Sequence, residues 1–162
     1  MNLIRSIAVA LAVVATNSVA QTNFLYDQQS AVEGAFAENE GLIVADQPMG
    51  QSFTPSLDSV GFIRIRLSDL GPGNGVGSTV ALNLRSNSIT GPVLATTGSS
   101  FFEDGFGGPG NPGYRDFFFS TPVVVLPGVT YYFQPVLESG GGMGMASDVN
   151  YGYAGGTASG TR

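Results

Sequence analysis

Apolar and polar residues alternate with a period of two along much of the chain. Ile63, Ile65 and Leu67 are separated by Arg64 and Arg66, and Val80, Leu82 and Leu84 by Ala81 and Asn83, with Thr79 and Arg85 outside them. Val129, Tyr131, Phe133 and Leu137 stand against Thr130, Tyr132 and Gln134. Neighbouring side chains of an extended strand point to opposite faces, so each run predicts an antiparallel strand with one face on a core and one toward water. Phe117-Phe118-Phe119 and Val123-Val124-Val125 are unbroken runs of strand formers. They predict burial on both faces or a bend at Pro122, and the phenylalanines are assigned to core packing. Val60 and Phe62 are out of phase with Ile63 and Ile65; a β-bulge near Phe62, or burial of both faces there, reconciles them.

The connectors carry turn chemistry. Gly71-Pro72-Gly73-Asn74-Gly75 separates two strands, Thr90-Gly91-Pro92 opens another, and Leu126-Pro127-Gly128 predicts a tight turn. Glu103 to Tyr114, with five glycines and two prolines, predicts a surface loop. Several strands joined this way, without a long amphipathic helix, predict an all-β chain folded as an antiparallel two-sheet β-sandwich of jelly-roll type. The expected division is a signal peptide with a signal helix over 1–20, an irregular segment over 21–45, the sandwich over 46–154 and a flexible tail over 155–162. Alanines over Ser30 to Asn39 allow a short helix that Gly34 weakens, so that segment is expected to be mostly irregular. A weak strand is expected around Asp148 to Tyr153, with Met143 and Met145 packing over a sheet edge.

The first 20 residues break the alternation. Arg5, the apolar stretch Ile7 to Ala15 and the small residues of Ser18-Val19-Ala20 make the three parts of a secretory signal, with cleavage expected before Gln21. The apolar stretch is far shorter than the ~20 residues that cross a bilayer, and no later segment is long and apolar enough, so no span is expected in the mature chain. Loss of Arg5 leaves five arginines against 12 acidic residues, a mature net charge of −7. An acidic surface without lysine repels phosphate, which argues against nucleic acid and anionic membrane as partners.

Several strings resemble a known class. Gln51-Ser52-Phe53-Thr54-Pro55 leads into Val60-Gly61-Phe62-Ile63-Arg64-Ile65-Arg66-Leu67-Ser68-Asp69. Asn83-Leu84-Arg85, Ile89-Thr90-Gly91-Pro92-Val93-Leu94-Ala95 and Pro127-Gly128-Val129-Thr130-Tyr131-Tyr132-Phe133 follow in order. Together, over roughly residues 47 to 155, they resemble the ectodomains of bacterial PEP-CTERM and choice-of-anchor exoproteins. The resemblance implies a jelly-roll-like ectodomain exported to the envelope or extracellular matrix, with a function generally not established, and it brings no catalytic residues; extracellular polysaccharide or other envelope proteins are the expected partners. Such proteins usually end in a Pro-Glu-Pro motif, an apolar helix and a basic cluster, whereas this sequence stops at Gly160-Thr161-Arg162. The expectation is therefore a fragment, lacking a last strand and an anchor, or a protein released without one. A missing strand would leave an unpaired sheet edge prone to association.

Past Ala20 there is no His, Cys, Lys or Trp. Without them a Ser nucleophile has no ordinary base, and Schiff-base chemistry and disulfides are excluded. The enzymatic route left open is a glycosidase-like carboxylate pair drawn from Glu103, Asp104, Asp116 and Glu138, against the plainer reading of solvated loop and strand-end acids. Gly105 to Gly110 and Gly108 to Gly113 both match G-x-G-x-x-G, but Pro112 and the strand from Phe117 leave no helix to receive a pyrophosphate, so no nucleotide is expected. Oxygen donors at Asp69, Asn74, Glu103, Asp104, Asn111 and Asp116 lie in or beside glycine-rich loops, so a structural Ca²⁺ stays open, although no D-x-[DN]-x-[DN]-G spacing occurs. No other cofactor is expected. Alternation puts Arg64, Arg66, Asn83, Arg85, Tyr132 and Gln134 on outward positions. If their strands adjoin, they form one polar face able to hydrogen-bond sugar hydroxyls or uronates, with Tyr132 as a stacking platform; otherwise they are the wet side of a half-buried sheet. The sequence therefore points to a secreted, non-enzymatic envelope or matrix sandwich, with a carbohydrate-recognition module as the alternative.

Overall fold

The structure, a computed structural model, describes residues 25–27, 39–108, 113–147 and 158–159. Their regular elements are all strands: β1 Asn39–Leu42, β2 Gly50–Phe53, β3 Ser59–Asp69, β4 Ser78–Ser86, β5 Val93–Thr96, β6 Ser100–Phe102, β7 Tyr114–Val124, β8 Tyr131–Ser139, β9 Met143–Ser147 and β10 Ala158–Ser159. They form a smaller sheet, β1-β9-β3-β7, and a larger one, β10-β2-β8-β4-β5, with β6 also paired to β4. Every strand pair is antiparallel. From β1 to β9 each connection crosses between sheets except the run β4 to β6, which makes the sandwich a jelly roll.

The core is the meeting of the two alternations. Ile65 and Leu67 of β3, Phe117 of β7 and Met143 and Met145 of β9 pack against Val80 and Leu82 of β4, Phe102 of β6 and Phe133 of β8. A second cluster joins Leu84, Phe119, Val125 and Tyr131. Removing each of these large side chains from water contributes ~1.5–3 kcal/mol, which offsets the entropy of ordering the strands that carry them. The turn after Leu126 has Pro127 and then Gly128 at φ 78°, closed by the Val129 amide donating to the Leu126 carbonyl at 3.1 Å. That is type II geometry, which requires a glycine-like third residue.

The phase change in β3 is a bulge. Val60 pairs with Val123 and Phe62 with Phe118, so the register slips across Gly61 and across the β7 segment holding Pro122. Val60 faces the second core cluster, while Phe62 meets Phe118 on the outer face with ring centroids 5.6 Å apart. The phenylalanine run is not buried on both faces: Phe117 and Phe119 are buried, but Phe118 is 45% exposed. The valines divide similarly, with Val124 80% exposed and Val125 buried. Both runs obey ordinary strand alternation, because a solvent-facing side remains beside the edge strand β7.

Three further expectations change. The tail expected to be flexible over 155–162 contains β10, which pairs with β2. The segment 21–45 contains β1, whose sequence has no alternation and which is held by its pairing with β9. Met143 and Met145 do not lie over an edge but point into the core, since β9 sits between β1 and β3. Gly144 between them faces Leu70, whose Cδ1 lies 2.9 Å from where a Cβ would be, so this M-G-M run alternates with glycine as its outward residue. The signal segment 1–20, the stretch Ser30 to Glu38 and the expected strand Asp148 to Tyr153 lie outside the described residues.

Candidate functional site

The six outward residues do not share a face. Arg64 and Arg66 sit on β3 in the smaller sheet, whereas Asn83 and Arg85 on β4 and Tyr132 and Gln134 on β8 sit in the larger one. Of the smaller-sheet pair, Arg64 is engaged locally. Arg64 lies 3.6 Å from the Asp116 carboxylate on β7 and 5.3 Å from the centroid of the Tyr114 ring. The other four do adjoin, because Asn83 pairs with Gln134 and Arg85 with Tyr132 in the β4–β8 register. Alternation named the outward positions, but strand order decided which of them meet.

On that face lies a groove of about 450 Å³, within the ~300–1,000 Å³ range of small-ligand sites. Its polar wall is Gln47, Asn83, Arg85 and Gln134, and its apolar part is Ile43, Val44, Val136 and Leu137. Tyr132, paired with Arg85 across β4 and β8, stands beside the groove and is not part of its lining. The β1–β2 connection brings Ile43, Val44 and Gln47 to β8, a contribution that alternation along strands could not reveal. Here Gly50 approaches β8 so closely that a Cβ would lie 2.0 Å from the Phe133 carbonyl oxygen. Beyond it β2 ends, and the Gln47 side chain takes over its role toward β8, donating from Nε2 to the Pro135 carbonyl at 3.0 Å.

Gln47 anchors a row of side chains. Its Nε2 also donates to the Ile43 carbonyl at 2.8 Å, and its Oε1 accepts from the Met49 amide at 3.3 Å and from Gln134 Nε2 at 2.6 Å. Gln134 Oε1 in turn accepts from Arg85 Nε at 2.7 Å, and Arg85 Nη1 donates to the Gly91 carbonyl at 2.5 Å. Carbonyls only accept and guanidinium only donates, so both glutamine amides have one consistent orientation. Asn83 Oδ1 accepts from the Thr96 hydroxyl of β5 at 2.7 Å. The row thus crosses from the β1–β2 connection over β8 and β4.

The acidic candidates are placed differently. Asp69 and Asp104 act as loop clamps: Asp69 accepts from the Gly71 and Gly105 amides at 2.9 Å each, and Asp104 from the Gly73 and Gly75 amides at 2.8 and 2.7 Å. The amides of Gly75 and Gly73 hold the Asp104 carboxyl below the usual aspartate range. Asn74 Oδ1 accepts from the Val76 amide at 2.7 Å, closing an Asx turn. These three stand near one end of the sandwich, but their oxygens are engaged by backbone amides; among the described residues no group of three acidic or other metal-ligating side chains is arranged to hold a cation. Asn111 lies outside the described residues. Glu103 is exposed just after β6. Asp116 and Glu138 lie on the two different sheets, Asp116 outward beside Arg64 and Glu138 exposed near the end of β8, so they do not flank one cleft.

A second contact reaches the fold from the N-terminal side. Tyr26 stands edge-on to Phe62 at 5.1 Å, and Asp27 accepts from the Ser56 and Leu57 amides at 2.6 and 3.2 Å and from the Ser56 hydroxyl. Partial desolvation works to raise the Asp27 carboxyl, but the Ser56 hydroxyl and the two amides together outweigh it and leave the group lowered. Nothing in the alternation singles this contact out. Compared with family models, curated proteins and solved structures, the chain gave no match in any of the three.

Proposed function

We propose that this chain is a secreted, non-enzymatic β-sandwich component of a bacterial cell envelope or extracellular matrix, of the PEP-CTERM and choice-of-anchor type. Support for export comes from the N-terminal arrangement of Arg5, an apolar stretch and Ser18-Val19-Ala20. Support for a non-catalytic role comes from a sequence with no His, Cys or Lys past Ala20 to serve as base or nucleophile. No described helix is long and apolar enough to cross a membrane. Export is tested by N-terminal sequencing of protein recovered from the periplasm or medium. A start at Gln21 is expected, and retention of Met1 in a cytoplasmic product contradicts it.

One observation favours a second reading, carbohydrate recognition: Asn83, Arg85 and Gln134 line one groove, held in position by Gln47 and Thr96. Planar amide and guanidinium groups in a fixed row suit the paired hydrogen bonds that sugars make. The test is retention on a panel of immobilised polysaccharides, with Arg85→Ala and Gln134→Ala beside the unaltered chain and Arg64→Ala as a control on the opposite face. Retention lost in the first two variants and kept in the third supports recognition by the groove. Absence of retention on every polysaccharide removes that reading and leaves a structural role.

A further inference from the structure

The geometry points to a carboxylated sugar as the ligand of the groove, with the carboxylate held by Asn83, Arg85 and Gln134; this rests on the recognition reading above. The argument is a count of what the hydrogen-bonded row leaves unspent. Arg85 has five N–H groups, of which one on Nε and one on Nη1 are engaged, so three remain. Asn83 engages its oxygen with Thr96, and among the described residues nothing accepts from its two amide hydrogens. Gln134 Nε2 gives one hydrogen to Gln47 and keeps one. On the accepting side, Gln47 Oε1 already receives two donors, and Gln134 Oε1 and Asn83 Oδ1 one each. Among the described residues the groove's three polar side chains Asn83, Arg85 and Gln134 therefore offer about six free donors against about two free acceptor sites.

A neutral sugar hydroxyl brings a donor with each pair of acceptor sites and would leave much of this set unmatched. An ionised carboxylate brings about four acceptor sites and no donor, and an arginine edge meets it in a planar fork. The spacing also fits. Asn83 and Gln134 are directly opposite in the β4–β8 register, and Arg85 is two residues further along β4 on the same face. Opposed Cβ atoms stand ~4.5–5.5 Å apart, so the donors converge on one patch. Beside it Val44 and Val136 give an apolar surface for the C–H face of the ring that carries the carboxylate. The chain as a whole is acidic, yet the lining contains one arginine and no Asp or Glu. At ~0.15 M salt the Debye length is ~8 Å, so the more distant carboxylates are largely screened while the direct contacts are not.

The test is isothermal titration of the purified protein with trisaccharides of galacturonate, glucuronate and mannuronate, each beside its methyl ester, repeated with Asn83→Asp. That substitution keeps the size of the side chain and the oxygen facing Thr96 but exchanges two donors for a negative acceptor. At least one uronate is expected to bind tenfold or more tightly than its ester, and Asn83→Asp to remove that preference without moving the melting temperature. Uronate and ester binding equally, with Asn83→Asp indifferent, overturns the carboxylate assignment and leaves sugar recognition standing. Failure of every acid and every ester to bind overturns both.

Discussion

Replacing Gln47 by Ala removes the support for the candidate groove, and its cost follows from the contacts. Among the described residues at least four hydrogen bonds are lost, to the Ile43 and Pro135 carbonyls, the Met49 amide and Gln134 Nε2. All four are partly buried, so water replaces them incompletely. At ~0.5–1 kcal/mol each the loss is ~2–4 kcal/mol, because the abandoned groups keep part of their desolvation cost. For a chain of this size that lowers the melting temperature by roughly 6–12 °C. The Pro135 carbonyl loses most, since β2 has already ended and among the described residues the glutamine amide takes its open side. Gln47→Glu sharpens the test: it preserves size but sets an acceptor against two carbonyls, so it is expected to cost at least as much as Gln47→Ala. Thermal unfolding followed by circular dichroism measures both. A fall under 2 °C for either variant would refute the claim that this side chain closes the larger sheet and orients Gln134.

Other consequences are open to separate checks. Phe117→Ala empties a fully buried position and is expected to cost ~3–5 kcal/mol in urea unfolding, whereas Phe118→Ala, on the outer face, is expected to cost under ~1.5 kcal/mol; equal losses would contradict the β7 register. The lowered Asp27 carboxyl contributes stability above the ordinary aspartate value of 3.8, lost as pH falls through its lower folded value. The Ser56 and Leu57 amide resonances should therefore inflect below pH 3.8 in the unaltered chain and not in Asp27→Asn. Asp104→Ala frees the Gly73 and Gly75 amides, so their hydrogen exchange should accelerate at least tenfold; unchanged exchange would mean that the loop is held otherwise.

The strands that alternate were legible, and those that do not were not. β3, β4 and β8 could be read directly because their core residues recur at every second position between polar ones. β1, with the sequence Asn-Glu-Gly-Leu, carries no such signal and is a strand because β9 offers it an edge. β9 itself was obscured by glycine: Gly144 occupies an outward position that a polar residue would have marked. The same limit applies to the site. Periodicity named Asn83, Arg85 and Gln134 as outward, but it treated Arg64 and Arg66 identically, and only the crossing of chain between sheets separates the two groups. Gln47 was missed because it lies in a connection, where its only sequence mark is a neighbouring proline. Its importance depends on Pro135, 88 residues away in sequence.

The most direct test of the account is a nitrogen-15 NMR titration with the uronate trisaccharide that binds most tightly, watching side-chain resonances. The Asn83 and Gln134 amide groups and the Arg85 Nε–H are expected to shift together and saturate at one ligand per chain, while the Arg64 and Arg66 signals stay in place. Shifts confined to the Arg64 and Arg66 face, or saturation without any movement of Asn83 and Gln134, would contradict it.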